Sequence, residues 1–305
     1  MALEKNLLIV GGSGFIGNHL IKYYSNKYRV TSISKRSSTI SSKYNENHIN
    51  CDLENSDEAK NFFSKNKFNF IINCSGYVDH IDFLSNGDEV FNNHFKITLN
   101  ILKNTIKYKP QKFIQVGSSD EYGYNASFPK ENDRENPFSP YSLGKLASTK
   151  VCMIFAKQYE YPINVIRPFL IYGPGQSENR LIPFIINSCL NNKEFNLGKK
   201  DIIRDFLYIN DFMEFVDEIL NNSSVNGEIF NVGSGSGTSI ENLVKKIIKI
   251  INKGKPIFGK YNSGKIENPI LVANLDKVNN LLKWQPKTDI VQGIKETIDS
   301  YGNQQ

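Results

Sequence analysis

The chain has little of what covalent or metal frameworks are made from. Its 305 residues include four cysteines and four histidines. Cys51, Cys74, Cys152 and Cys189 stand far apart with no CxxC pair, which argues against a zinc site and a disulfide framework and leaves most of them as small core hydrophobes. No metal is expected. No apolar run approaches the ~20 residues a membrane helix needs. Met1 to Lys5 lead into a short apolar run that ends in glycines, the pattern of neither a signal peptide nor a membrane span. The expected location is the reducing cytoplasm. A basic arm is missing as well, because the net charge of +6, from 37 basic and 31 acidic residues, is scattered in single lysines and short pairs. That excludes nucleic acid as the natural partner and leaves a mild preference for small anions. No internal repeat is found. What is present is 39% hydrophobic and 12% aromatic residues, enough for a large core in one or two globular domains, so collagen, coiled coil and disorder are poor readings.

The first half alternates short apolar runs with longer amphipathic stretches, the pattern of βαβ units. Strands are expected at Asn6 to Val10, Val30 to Ser34, Phe68 to Cys74, Lys112 to Val116 and Ile163 to Arg167. Helices are expected at Ile16 to Ser25, Ser56 to Asn66, Val90 to Lys107 and near Lys145 to Tyr159. From Pro168 onward the chain breaks into loops rich in Gly, Pro and Asn, with helices near Leu181 to Asn191, Ile209 to Asn221, Ser239 to Ile251 and the C-terminus. The fold class is therefore α/β, a Rossmann-type doubly wound parallel sheet followed by a smaller C-terminal α/β substrate domain. The expected division is 1–167 for the nucleotide domain, with 206–232 returning to it through a strand near Gly227 to Asn231, and 168–305 for the second domain.

The first strand runs into Gly11-Gly12-Ser13-Gly14-Phe15-Ile16-Gly17 and then the amphipathic Asn18-His19-Leu20-Ile21. The turn parses as GxGxxG from Gly12 or GxxGxxG from Gly11. Glycines permit a tight turn and close approach of a pyrophosphate, and the following helix aims its N–H groups at the phosphates. The cofactor-binding candidates here are Gly11, Gly14, Phe15, Ile16 and Gly17. At the end of the second strand an acidic residue would favour NAD through the ribose 2′-OH. The chain instead reads Ser34-Lys35-Arg36-Ser37, whose Lys35 and Arg36 suit a 2′-phosphate, so NADP is favoured and NAD is the alternative. Cys51-Asp52-Leu53 offers Asp52 and Leu53 to the adenine, or else a surface turn.

After the Lys112 to Val116 strand comes Gly117-Ser118-Ser119-Asp120-Glu121-Tyr122-Gly123, and later Pro140-Tyr141-Ser142-Leu143-Gly144-Lys145. Tyr141 and Lys145 are spaced i, i+4, one turn apart on one helix face. A neighbouring ammonium favours the phenolate, which brings the phenol from its reference pKa near 10 toward working pH and makes Tyr141 a usable general acid/base.

These motifs resemble the extended short-chain dehydrogenase/reductase family, in its nucleotide-sugar epimerase, dehydratase and reductase branch. The resemblance covers nearly the whole chain. It includes Asn73-Cys74-Ser75-Gly76, Arg167-Pro168-Phe169-Leu170-Ile171-Tyr172-Gly173-Pro174-Gly175, Arg204-Asp205-Phe206-Leu207-Tyr208-Ile209-Asn210-Asp211, Phe230-Asn231-Val232-Gly233, Asp276-Lys277 and Leu282-Lys283-Trp284-Gln285-Pro286. It implies a nucleoside-diphosphate sugar as substrate, with NAD(P) lying against Cys74 and Ser75 and Lys145 on the nicotinamide ribose. Counting back from Tyr122-Gly123 gives Ser118 the hydrogen bond to the reacting sugar oxygen, with Ser119 as runner-up. Arg204 is implied on the diphosphate, the other reading being a surface salt bridge to Asp205. Arg180 and Asn179 are further anion-contact candidates. A homodimer through the Tyr141 helix and the Val90 to Lys107 helix is also implied.

In the resembling 4,6-dehydratases an acid and a base directly follow the catalytic hydroxyl. In the ungapped register those positions are Ser119 and Asp120, and with a one-residue gap Asp120 and Glu121. The Gly-Ser-Ser-x-Glu-Tyr-Gly likeness to 4-keto-6-deoxyhexose reductases, with Arg36, favours a C4 keto-reductase or dehydrogenase over a 4-epimerase or 4,6-dehydratase. A catalytically inactive NAD(P)-sensing module is disfavoured, because Ser118, Tyr141 and Lys145 are all retained. A classical short-chain alcohol or steroid dehydrogenase is disfavoured by the additional C-terminal region. His80, Asp79 and Asp82 follow the third main strand, where with Tyr77 they are placed to face substrate, although a lone loop histidine is ordinarily solvent-exposed.

Overall fold

In the computed structural model, residues 5–35, 47–124, 127–260 and 268–302 are described. In chain order the first elements are β1 (Asn6–Val10), α1 (Phe15–Tyr24), β2 (Arg29–Ser34), β3 (Asn47–Asn50), α2 (Ser56–Lys65), β4 (Phe70–Asn73), α3 (Gly87–Thr105), β5 (Lys112–Val116), α4 (Pro140–Tyr159) and β6 (Ile163–Pro168). There follow β7 (Leu170–Tyr172), α5 (Leu181–Leu190), β8 (Glu194–Leu197), β9 (Ile203–Tyr208), α6 (Ile209–Asn221), β10 (Ile229–Val232), β11 (Gly237–Ser239), α7 (Ile240–Ile251), β12 (Lys255–Phe258), β13 (Ile270–Leu271), α8 (Asp276–Leu281) and α9 (Ile290–Gly302).

A seven-stranded sheet has the order β10-β6-β5-β4-β1-β2-β3. The pairings from β6 through β3 are all parallel, with Leu7 opposite both Val30 and Phe70. Its central strands are buried from end to end, as a sheet covered on both faces requires, which is why Leu7-Leu8-Ile9-Val10 and Phe70-Ile71-Ile72 read as continuous apolar runs. The strand order reverses between β1 and β4, so the loops after β1, β4 and β5 converge where a doubly wound sheet takes its ligand. This is a Rossmann-type α/β fold.

The chain divides into two units. The first draws on residues 1–123, 134–168 and 213–230, and the second on 124–133, 169–212 and 231–305. The expected return of 206–232 is shortened at its start, because Phe206, Leu207 and Tyr208 lie in β9, which pairs with β7, β11 and β13 in a separate four-stranded sheet of the second unit. Helix and strand boundaries also move. Helix α4 begins at Pro140, not near Lys145, because Ser139 accepts from the Ser142 N–H in a capping box and Pro140 supplies the first-turn geometry. Helix α3 starts at Gly87, three residues before the expected Val90, and β4 keeps only Phe70–Asn73 of the expected Phe68 to Cys74.

Candidate active site

In the first unit, Gly11 has φ +91° and a Cβ there would lie 2.8 Å from the Ser75 Cα, while a Cβ on Gly17 would meet the Gly11 carbonyl oxygen at 2.2 Å. Both positions demand glycine. Gly14 caps α1 in extended conformation with no side chain on its N–H groups and no acidic residue in the first turn, so the helix N-terminus is left to an external anion. Phe15, Ile16 and Gly17 form that first turn. Across from it, the Cys74 thiol donates to the Val10 carbonyl at 3.1 Å, and Ser75 donates its N–H and hydroxyl to Asn73 Oδ1 at 3.2 and 2.6 Å. Asn73 is in turn fixed by Gln115 and Thr98. The cradle is therefore tight, set by backbone contact, and fits a dinucleotide pyrophosphate.

The end of β2 differs from expectation. Lys35 Nζ lies 3.0 Å from both Asp52 Oδ2 and Glu54 Oε2, so two carboxylates face the ammonium that was assigned to a 2′-phosphate. Arg36 lies outside the described residues. Asp52 is a turn residue that also accepts the Glu54 N–H at 2.9 Å, and Leu53 is buried.

Tyr141 sits in the first turn of α4 and is 5% exposed. Its ring is met edge-on by His80 and His94, with centroids 5.2 and 5.1 Å away. One turn on, Lys145 is buried with Nζ 2.9 Å from the Val116 carbonyl and 3.5 Å from that of Ser75. Burial pulls its ammonium down to about 8, against the raising effect of Glu121 and Cys74. His94 was not recognised from sequence. Burial and then the charge of Lys145 hold it well below the usual imidazole range, so it is neutral, and its Nε2–H donates to the Tyr77 carbonyl at 3.3 Å. A Cβ on Gly76, at φ +94°, would strike the His94 ring at 2.0 Å. That backbone glycine is the only available sequence signal for His94.

Ser118 follows β5 and caps the 3-10 turn Ser119–Tyr122. Its Oγ accepts the Asp120 N–H at 3.1 Å, which leaves the hydroxyl proton able to donate to a substrate oxygen. Ser119 is buried within the turn. His80 is brought into the site: its Nε2 lies 3.5 Å from Asp120 Oδ2, its Nδ1 is 3.3 Å from Ser139 Oγ, and its ring stacks on Phe138.

Glu121 is fully buried. Its Oε1 accepts the Ser118 N–H at 2.9 Å and its Oε2 pairs with Arg167 Nε at 2.9 Å. The base offered by the gapped register is thus committed to an ion pair. Losing one partner of such a pair leaves an uncompensated buried charge, at a cost of about 3–5 kcal/mol.

In the second unit, Arg204 on β9 donates from Nη1 to the carbonyls of Ile203 and Asn268 at 2.9 and 2.8 Å. The buried carboxylate of Asp205 accepts from Ser234 N and Oγ, Gly235 N and Ala273 N. Arg180 is exposed at the N-cap of α5, and the Asn179 N–H faces Ser177 Oγ at 3.4 Å. No helix among the described residues is long and apolar enough to cross a membrane.

A parallel sheet with an uncapped glycine turn at its switch point and a buried lysine one turn behind a tyrosine defines a dinucleotide-dependent class. The chain belongs to the NAD dependent epimerase/dehydratase family, whose model matches residues 7–233. It is 29% identical to a Dictyostelium discoideum dTDP-D-glucose 4,6-dehydratase over 282 residues, spanning 81% of this chain and 62% of that protein. It is 27% identical to the human dTDP-D-glucose 4,6-dehydratase over 330 residues, spanning 97% of this chain and 90% of that one. Its fold is similar to that of the Thermotoga maritima UDP-glucose 4-epimerase solved with UDP-glucose, with a TM-score of 0.90, 24% identity and coverage of 98% and 99% of the two chains.

Proposed function

We propose that the chain is an NAD(P)-dependent enzyme acting at C4 of a sugar carried on a nucleoside diphosphate, a 4-keto-sugar reductase or dehydrogenase. The carrying observation is Lys145, buried and held on the Val116 carbonyl one helical turn from Tyr141, beside the strand end that presents Ser118. The bound dinucleotide supplies hydride exchange with the sugar carbon. Tyr141 gives or takes the proton on the C4 oxygen, and the Ser118 hydroxyl donates a hydrogen bond to that oxygen. The Lys145 ammonium faces the nicotinamide ribose and stabilises the phenolate. Gly11, Gly14, Phe15, Ile16 and Gly17 hold the pyrophosphate, with Cys74 and Ser75 on the other wall of the cradle.

Of the two dinucleotides the reading now favours NAD. Lys35 is engaged by Asp52 and Glu54, so a 2′-phosphate there would lie beside two carboxylates. The diphosphate of the substrate is assigned to Arg204, with Arg180 and Asn179 as further contacts. A homodimer through α3 and α4, in the cytoplasm, completes the proposal, and exposed Leu143 and Ile154 on α4 support that face.

A 4-epimerase would use the same Tyr141, Ser118 and Lys145. Elimination by a 4,6-dehydratase is less well served despite the relatives of that name, since Glu121 is committed to Arg167. The test is turnover of a 4-keto sugar nucleotide with stoichiometric NADH or NADPH consumption. Conversion of the C4-hydroxy sugar nucleotide without net consumption, with the 4-keto sugar left unreduced, would overturn the reductase in favour of the epimerase or dehydratase, and tighter NADPH than NADH binding would overturn the choice of NAD.

A further inference from the structure

Ser118 and Tyr141 reach the site from different parts of the chain, one after β5 and the other at the start of α4. Between them in sequence lies Glu135, and on β6 lies Arg167, whose side chain is wholly buried. Arg167 Nε is 2.9 Å from Glu121 Oε2, in the turn that Ser118 caps, and Nη2 is 2.8 Å from Glu135 Oε1, four residues before the Ser139 cap of α4. Its guanidinium carbon sits 4.6 Å from the Tyr122 ring centroid. Lys150, back on α4, closes the network on Glu135 with contacts of 2.8 and 2.9 Å. The two segments also meet through backbone: a Cβ on Gly123 would lie 1.6 Å from the Asn136 carbonyl oxygen. A planar guanidinium with two carboxylates on separate nitrogens fixes direction as well as distance. Glu121 completes the linkage by accepting the Ser118 N–H itself.

We propose that Arg167, with Glu121 and Glu135, is a positioning element that holds the Ser118 turn and the Tyr141 helix start in the mutual geometry proton transfer needs. The inference rests on the C4 oxidoreductase reading above. Arg167 and Glu121 have wholly buried side chains that are spent on one another, and Glu135 is spent on Arg167 and Lys150. Their role acts through Ser118 and Tyr141, so it appears in kcat and leaves ground-state binding in place.

The variant that avoids a lone buried charge is the double substitution Glu121→Gln with Arg167→Met. Three measurements are made on it: steady-state kinetics with the 4-keto sugar nucleotide, NADH affinity by fluorescence without turnover, and amide hydrogen exchange by mass spectrometry. The expected result is a kcat lowered roughly 30-fold with KM and NADH affinity within twofold of wild type, a split assigned to lost orientation. Exchange should quicken in 117–123 and 134–140 while β1 and β4 stay protected, and Arg167→Lys should restore part of kcat. A kcat within threefold of wild type, unchanged exchange in both segments, or a parallel fall in kcat and NADH affinity would each overturn the positioning role. An inactive wild type would sink the functional reading instead, and the exchange data would still decide whether the network holds the two segments.

Discussion

The two units satisfy their buried polar groups in different ways. In the first, alongside contacts to backbone, buried side chains pair with one another: Arg167 with Glu121 and Glu135, and Asn73 with Gln115 and Thr98. In the second, carboxylates accept from backbone. Asp205 gathers N–H groups from 234, 235 and 273, and Asp211 takes those of Lys287 and Thr288 while its carbonyl accepts from Trp284. The cause lies in the sheets. Parallel main-chain ladders organise the first unit, and its buried polar side chains tie β4 and β5 to α3 and β6 to the turn after β5. The second is made of strands of two to six residues from distant segments, and its carboxylates do the holding that ladders do elsewhere.

The sharpest way to break the comparison is Tyr141→Phe. Loss of a positioned general acid/base should lower kcat roughly 10²–10⁴-fold with NADH affinity unchanged, and an equally active variant by steady-state assay would remove Tyr141 from the mechanism. Next is Gly17→Ala, which forces a Cβ onto the Gly11 carbonyl; a rise of roughly 30-fold in the NADH dissociation constant is expected from the displaced pyrophosphate site, read by fluorescence titration. In the second unit, Asp205→Asn turns an amide toward N–H donors and should destabilise by about 2–3 kcal/mol in urea unfolding. If NADH affinity collapsed in this variant, the separation of roles between the units would be wrong. The smallest effect is in pH. Burial lowers the Lys145 ammonium to about 8, so the charge that supports Tyr141 is present below that pH and lost above it. kcat/KM should therefore fall with unit slope on the alkaline side of about 8, and a flat profile to pH 10 would contradict it.

Much of the first unit was legible because continuous apolar runs separated by amphipathic stretches leave few alternatives. The strand β3 was not, since Asn47-His48-Ile49-Asn50 is polar and half-exposed, and only its pairing with β2 makes it a strand. Strands β7, β8, β9 and β11 to β13 escaped for a related reason: they are two to six residues long and lie amid Gly, Pro and Asn, where periodicity has no length in which to show. At the site, the Tyr141 and Lys145 spacing and the glycine turn carried their own signal. Glu121 entered the sequence reading only as a gapped-register alternative, and its partner Arg167 is 46 residues away, a distance that no local pattern spans. His80 was left between a substrate-facing and a solvent-exposed loop residue, and folding stacks it on Phe138 and sets it against Tyr141 and Asp120.

The Cys74 sulfur, lodged on the Val10 carbonyl beside the glycine turn, has a practical corollary. Burial pushes this thiol up to about 12, and Cys51 and Cys189 up to about 11, while Cys152 is held well above its usual value. Thiolate is the form that alkylating agents and peroxides attack. The raised values lower the thiolate fraction at every cysteine, so alkylation at neutral pH should be slower than that of an ordinary thiol, including at the sulfur beside the glycine turn.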